Sequence, residues 1–227
     1  RQSMNITDFI PENYIPAIIT SSTALIVVFI GQIYNNHLTI KRENKKYKKE
    51  VYEELISVHF IDLLAYPAAV ARLIDDEEIE REINISEKLN GMFSKIHYGD
   101  SRLQSVYLSY NTLGYMTENH LYNNQLKSMQ FKICYSFLLY SKEIFKQINF
   151  KLENTVKNTL IQTIKEYAVL SIYSEEKSYE EAKNMLISIK RFHLKTLTDI
   201  SLKELEKLTN SEIINILDQE RKEYLAN

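Results

Sequence analysis

Tryptophan is absent from the 227 residues, and cysteine, proline and glycine are nearly so, at one, three and four. Glycine and proline together are seven residues, about 3% of the chain, against roughly 12% in an average protein. Folds built from strands and turns need that punctuation, so its shortage excludes a sandwich or barrel and favours long helices. The single cysteine, Cys134, excludes an internal disulfide and suits a reducing compartment. In the apolar setting FKICYSFLLY it reads as a small buried hydrophobe. A strong net charge is missing too: at −2 overall there is no electrostatic case for nucleic acid, and no DNA partner is expected. The sixteen tyrosines are read as compositional bias.

Catalytic and ligand motifs are also missing. There is no P-loop, no nucleotide-binding GxGxxG, no GxSxG turn, no HExxH and no CxxC. The five histidines, His37, His59, His97, His120 and His193, are scattered. His59 and Asp62 form a loose i, i+3 pair, read as a partly buried polar pair and not as metal ligands. His193 belongs to a basic cluster, KRFHLK, at a helix end, a weak anion-site candidate. The acidic run Asp75-Asp76-Glu77-Glu78 reads as a solvated face. No catalytic residue, cofactor or metal is assigned, and the chain is read as non-enzymatic.

What is present is one long uncharged run, Tyr14 to Tyr34, YIPAIITSSTALIVVFIGQIY. Its apolar part, Ile15 to Ile33, is 19 residues, about 28 Å as a helix, which matches a hydrocarbon core of about 30 Å. Tyr14 and Tyr34 sit where aromatic rings prefer the headgroup level. A cleaved signal peptide would carry a basic leader, and here Asp8 and Glu12 precede the run. A buried core helix rarely runs this long without charge, and an interfacial helix would carry Lys or Arg on its polar face. The run is therefore read as a transmembrane helix over 14–34.

Lys41, Arg42, Lys45, Lys46, Lys48 and Lys49 follow within 16 residues. The positive-inside rule then places residues 1–13 outside the inner membrane of a bacterium and the bulk of the chain in the cytoplasm. Those six side chains are expected to meet anionic headgroups; an RNA contact is the sharper alternative. Arg1-Gln2-Ser3 reads as a vector remnant before Met4.

Within the run, Ala17, Ser21, Ala24, Val28 and Gly31 recur at 4-3-4-3 spacing, and Thr20 and Ala24 form a second small-xxx-small pair. Such faces let helices approach closely and pack. The hydroxyls from Thr20 to Thr23, with Gln32, could bridge helices or line a narrow pore. They could equally bond back to their own helix carbonyls in a lone anchor.

Residues 35–66 are expected to continue as a helical stalk with Val51, Leu55, Val58 and Asp62 on one stripe and Tyr52, Ile56, His59, Phe60 and Leu63 beside it. Pro67 is expected to kink or break it. Over 67–227 the periodicity predicts a cytoplasmic domain of about six or seven helices. One is an acidic-segment helix with Ile79, Ile83, Ile85 and Leu89 inward. Others run from Asp100 or Ser101 to about Glu118, from Leu121 to Asn149, and from Lys151 to Tyr173. Capping boxes are expected at Ser178 to Glu181 and Ser201 to Glu204, with a last helix from Ser211.

This layout of short outer N-terminus, one span, basic stalk and cytoplasmic helical domain resembles small membrane-anchored proteins of bacterial phage-defence loci. These include abortive-infection proteins and the pore-forming accessory of type VI CRISPR systems, whose cytoplasmic part resembles the HEPN fold. The resemblance implies a homo-oligomer that disturbs the inner membrane once infection is sensed. The HEPN signature of Arg and His four to six residues apart is absent, since Arg191 and His193 are too close, so no functional residue is carried over. The alternatives are a tethered scaffold that recruits a protein or RNA partner, and a tethered nuclease or hydrolase without a readable motif.

Overall fold

The computed structural model describes residues 14–75, 85–115 and 120–226, and these are helical without strands. The reading of residues 1–13, and that of Ile79 and Ile83, lie outside the described residues. Two units divide between Tyr47 and Lys48. In chain order the helices are α1 (Ile15–Val51), α2 (Ser57–Asp75), α3 (Ile85–Phe93), α4 (Ser101–Leu113), α5 (His120–Gln147), α6 (Asn154–Glu176), α7 (Tyr179–Phe192), α8 (Lys195–Asp199), α9 (Leu202–Leu205) and α10 (Asn210–Ala226). Against an expectation of six or seven after the stalk, the described residues carry eight from α3 onward. The excess comes from short pieces such as α8, too brief to leave a periodic trace.

In the first unit, every side chain from Pro16 to His37 is exposed, with Leu25 at 71% and Phe29 at 66%. Among the described residues this is the helix long and apolar enough to cross a membrane.

In the second unit the core gathers around α5 and α6. Phe131, Ile133, Cys134, Phe137 and Leu138 of α5 are buried with Leu160, Ile164, Val169 and Tyr173 of α6. Met185, Leu186 and Ile189 of α7 close one side. Phe60, Phe145, Tyr52 and Phe150 pack ring on ring, Phe60 and Phe145 edge to face at 5.0 Å. The Ile85 and Leu89 face of α3 is buried as expected.

The segment from Val51 to Leu63 departs from its expected stripe. Tyr52–Ile56 is a π turn, five residues wide, between α1 and α2. Val51 and Leu55 are buried, but the burial then moves on by one residue to Ile56, Phe60 and Leu63. Val58 is 62% exposed, and Asp62 is exposed and paired with Lys88 at 2.8 Å. The π turn takes one residue more than an α turn, which rotates the following face out of the 3.6 period.

Pro67 does not break the helix: α2 runs through it to Asp75. A proline inside a helix withholds the N–H that would bond the carbonyl four residues back, here Leu63. The Tyr167 hydroxyl, on α6, donates to that carbonyl at 2.8 Å. Leu63, Pro67 and Tyr167 are all buried, so the orphaned acceptor is satisfied where water does not reach.

Helix ends are settled mostly without glycine. Asp100 caps α4, which stops at Leu113 before Gly114 and so falls short of Glu118. Asn149, at φ 58°, ends α5 in the left-handed region, where asparagine is tolerated, and Phe150 N–H donates back to Phe145 O at 2.8 Å. Ser178 accepts from Glu181 N–H, but only this half of the expected box forms. The box at Ser201 and Glu204 is complete. The last helix starts at Asn210, not Ser211, because Thr209 and Glu212 make a reciprocal cap of their own.

Tyr167→Phe is expected to cost on the order of 1–3 kcal/mol by leaving the Leu63 carbonyl unpaired. In a Pro67→Ala chain the new N–H takes that carbonyl, and the same change should cost markedly less. Denaturant unfolding of the four full-length chains in detergent measures the cycle. Equal costs in both backgrounds would refute the link.

Candidate functional site

The expected packing face lies on α1. Ala17, Thr20, Ser21, Ala24, Val28, Gly31 and Gln32 are all exposed, and a Cβ added at Gly31 would meet nothing within 4 Å. Helical spacing aligns the five residues of the 4-3-4-3 set on one face. The hydroxyls, however, turn inward on the helix. Thr20 donates to Pro16 O, Ser21 to Ala17 O and Thr23 to Ile19 O, each at 2.8 Å. Their protons are thus committed within the helix.

Of the basic residues, Lys41, Arg42, Lys45, Lys46 and Lys49 are exposed and Lys48 is half-buried. All six belong to α1, where a rotation of about 100° per residue gathers them within an arc of about 160°. Glu43 and Asn44 fall on the other side.

A second candidate was not singled out in the sequence. On the outer faces of α6 and α7, where α8 approaches, a cleft of about 560 Å³ opens between Gln162, Lys165, Glu166, Lys190, His193 and Thr198. Two of these are charged residues in buried positions, Lys165 at 4% exposure and Glu166 at 1%. Lys165 Nζ donates to the carbonyls of Leu197 and Thr198 at 2.8 and 2.9 Å, which ties α8 to α6. Burial pushes the Lys165 ammonium pKa down, and Asp199 partly restores it.

Glu166 Oε1 accepts from Lys190 Nζ at 2.6 Å, while Oε2 is buried with no hydrogen-bond partner. Burial raises its pKa; Lys190 most, and Gln162 beside it, pull in the opposite direction. His193 closes α7 at φ 48°, a left-handed position that glycine usually fills. Its place in this rim agrees with the basic cluster noticed in the sequence.

A second concavity of about 310 Å³ adjoins through Lys190, lined by Ala68, Ala71, Arg72, Ile187 and Arg191. The signal that could have found the cleft is the pair Lys165-Glu166 inside the apolar stretch of α6. Periodicity alone does not separate it from a solvated face.

The other singled-out residues hold structural places. His59 is half-buried with its ring edge against Gly91, and burial lowers its pKa while Asp62 opposes. His97 lies tilted against the Tyr98 ring, with centroids 4.2 Å apart. Cys134 is buried among the α5–α6 side chains, and its thiol pKa is pushed far up. Among the described residues no group of three or more His, Cys, Asp or Glu is arranged to hold a metal.

Removing Lys190 strips Glu166 of its compensating charge. With the folded pKa raised above the unfolded value near 4.5, the folded state holds the proton longer, so stability falls as pH rises above that value. For Lys190→Met the loss should be smallest near pH 4.5 and grow to on the order of 3 kcal/mol at pH 7. Adding Glu166→Gln should abolish the growth. Unfolding across pH checks this, and a pH-independent loss would contradict it.

No family model, curated protein or solved structure matches this chain, so its function is argued from its own residues.

Proposed function

We propose that this chain is a single-span protein of a bacterial inner membrane, with Tyr14–Tyr34 crossing the bilayer. In this reading residues 1–13 lie outside, and the helical unit from Lys48 onward is cytoplasmic. The observation that carries it is the exposure of the run around its whole circumference. A core helix of a soluble protein would be buried, and Leu25 and Phe29 left in water would forfeit about 1.5–3 kcal/mol each. The one-sided basic arc just beyond supports the orientation and a seat among anionic headgroups.

The spans associate through Ala17, Ser21, Ala24, Val28 and Gly31, where small side chains permit close backbone approach. An assembly of this kind permeabilises or reorganises the inner membrane, in keeping with the phage-defence proteins whose layout the chain resembles. The inward-bonded hydroxyls favour a tightly packed face over a wet, hydroxyl-lined pore.

That same internal bonding also favours a second reading, a tethered scaffold that uses the helix as an anchor alone. The two separate on one experiment. With self-association, Ser21→Leu with Ala24→Leu converts a detergent-solubilised oligomer to monomer and stops dye influx on expression. With a scaffold, the wild type is already monomeric and an unrelated span replaces 14–34 without loss. Alkaline extraction tests the shared premise: the full-length chain should stay in the membrane pellet, and release to the supernatant would overturn both readings. Reporter fusions should place the C-terminus inside, and changing Lys41, Arg42, Lys45 and Lys46 to Gln should erode that bias.

A further inference from the structure

The chain from Ile85 to Tyr98 runs antiparallel along Glu50–Asp62, and polar side chains link the two. Lys88 Nζ donates to Asp62 Oδ2 at 2.8 Å, Lys95 Nζ to Glu54 Oε2 at 2.6 Å, and the Tyr98 hydroxyl to Glu50 Oε1 at 2.9 Å. Lys88, Gly91 and Lys95 stand at i, i+3 and i+7 and so share one face. Facing Gly91, between the two ion pairs, is the ring of His59. A Cβ added at Gly91 would come within 3.0 Å of His59 Cε1, so the ring fits against a residue without a side chain.

The two ends of this stretch are held unequally. Under the ion pairs α3 buries Ile85, Leu89 and Met92, and Gln130 Nε2 of α5 donates to Ser86 Oγ at 2.7 Å. Both ion pairs are open to solvent, where such links hold weakly. Beyond them the turn is fastened to the bundle: Tyr98 O accepts from the Tyr140 hydroxyl at 3.0 Å, and Gly99 O from Gln104 Nε2 at 2.7 Å. A lightly held length, Ile85–Lys95, thus hangs from a firm turn.

Between the ion pairs, His59 is the group whose charge changes between pH 5 and 8. A positive charge there has no carboxylate to itself. Asp62, on the same helix, is engaged with Lys88, and Glu54 with Lys95. Those two ammoniums stand about one turn to either side of Gly91. Glu87, a turn before Gly91, is exposed, where its attraction is screened. Burial accordingly lowers the His59 pKa, and Asp62 opposes this only in part.

We propose that Ile85–Lys95 is an acid-released strap, latched while His59 is neutral and freed when the ring takes up a proton and turns to solvent. In the open state the imidazole regains its ordinary value of 6.5, above that of the latched state. The latch is therefore at full strength above pH 6.5 and weakens as pH falls below it. Release bares Ile85, Leu89 and Met92, an apolar patch that the closed state hides. The strap lies wholly within the unit from Lys48 onward, and the proposal does not depend on the membrane assignment.

Hydrogen exchange of the full-length chain in detergent, corrected for the chemical exchange rate at each pH, tests this between pH 8 and 5.5. Protection of the Leu89–Phe93 amides should be level at the alkaline end. Below pH 6.5 it should fall by up to about tenfold per pH unit, the slope of one proton taken up on opening. The Phe131–Leu138 amides of α5 should keep their protection throughout. His59→Gln should flatten the strap profile, and His97→Gln, in the exposed turn, should leave it as in the wild type. The α5 amides also report whether each variant is folded; if His59→Gln is not, His59→Phe, a neutral ring, takes its place. Strap protection that stays level from pH 8 to 5.5 in the wild type would overturn the proposal. So would a fall that survives loss of the imidazole, or one that the α5 amides share.

Discussion

A carbonyl deprived of its own helix's proton fixes the middle of the bundle. Pro67 cannot donate to Leu63, and the group that replaces it, the Tyr167 hydroxyl, comes from a helix a hundred residues later in the chain. That demand brings α6 against α2 with the two rings Tyr66 and Tyr167 nearly parallel at 6.3 Å. Burial pushes the Tyr167 hydroxyl pKa well above its ordinary value, so it stays a donor at any physiological pH. Cys134 packs in the same layer. Phe131, Phe137 and the α7 side chains then fill the space that this contact leaves between α5, α6 and α7.

Much of the helical plan is legible from residue type alone. Shortage of glycine and proline announces helices, and Asp100, Ser178 and Ser201 announce where three of them start. Most of the inward-facing apolar residues of α5 and α6 follow from the 3.6 period. Three features escape that reading for physical reasons. The π turn at Tyr52–Ile56 changes the period midway. Pro67 carries a local penalty that only a distant hydroxyl relieves. Thr209 outcompetes Ser211 because its partner Glu212 sits three residues on, the spacing that closes a reciprocal cap.

The candidate cleft divides along the same line. His193 and its basic neighbours are visible as a cluster at a helix end. Glu166 is not, because a Lys-Glu pair on a long helix ordinarily faces solvent, and what buries this one is the return of α7 and α8 across it. Two charged residues drawn inward cost desolvation that the Lys190 pair and the two carbonyl bonds to Lys165 offset only in part. The same accounting of solvent weighs on the membrane-candidate run, whose apolar side chains are exposed on every side.

The wide turn between α1 and α2 has one more consequence, for how kinship to this chain would be detected. A relative built without the extra residue would keep the same buried layers on both sides. Its alignment to this chain would need a single-position gap in the middle of a helix, where gaps are ordinarily treated as mistakes. Forced into register without it, His59 would be matched to a core position and Phe60 to solvent. Two proteins with one architecture would then score as strangers from Val51 onward.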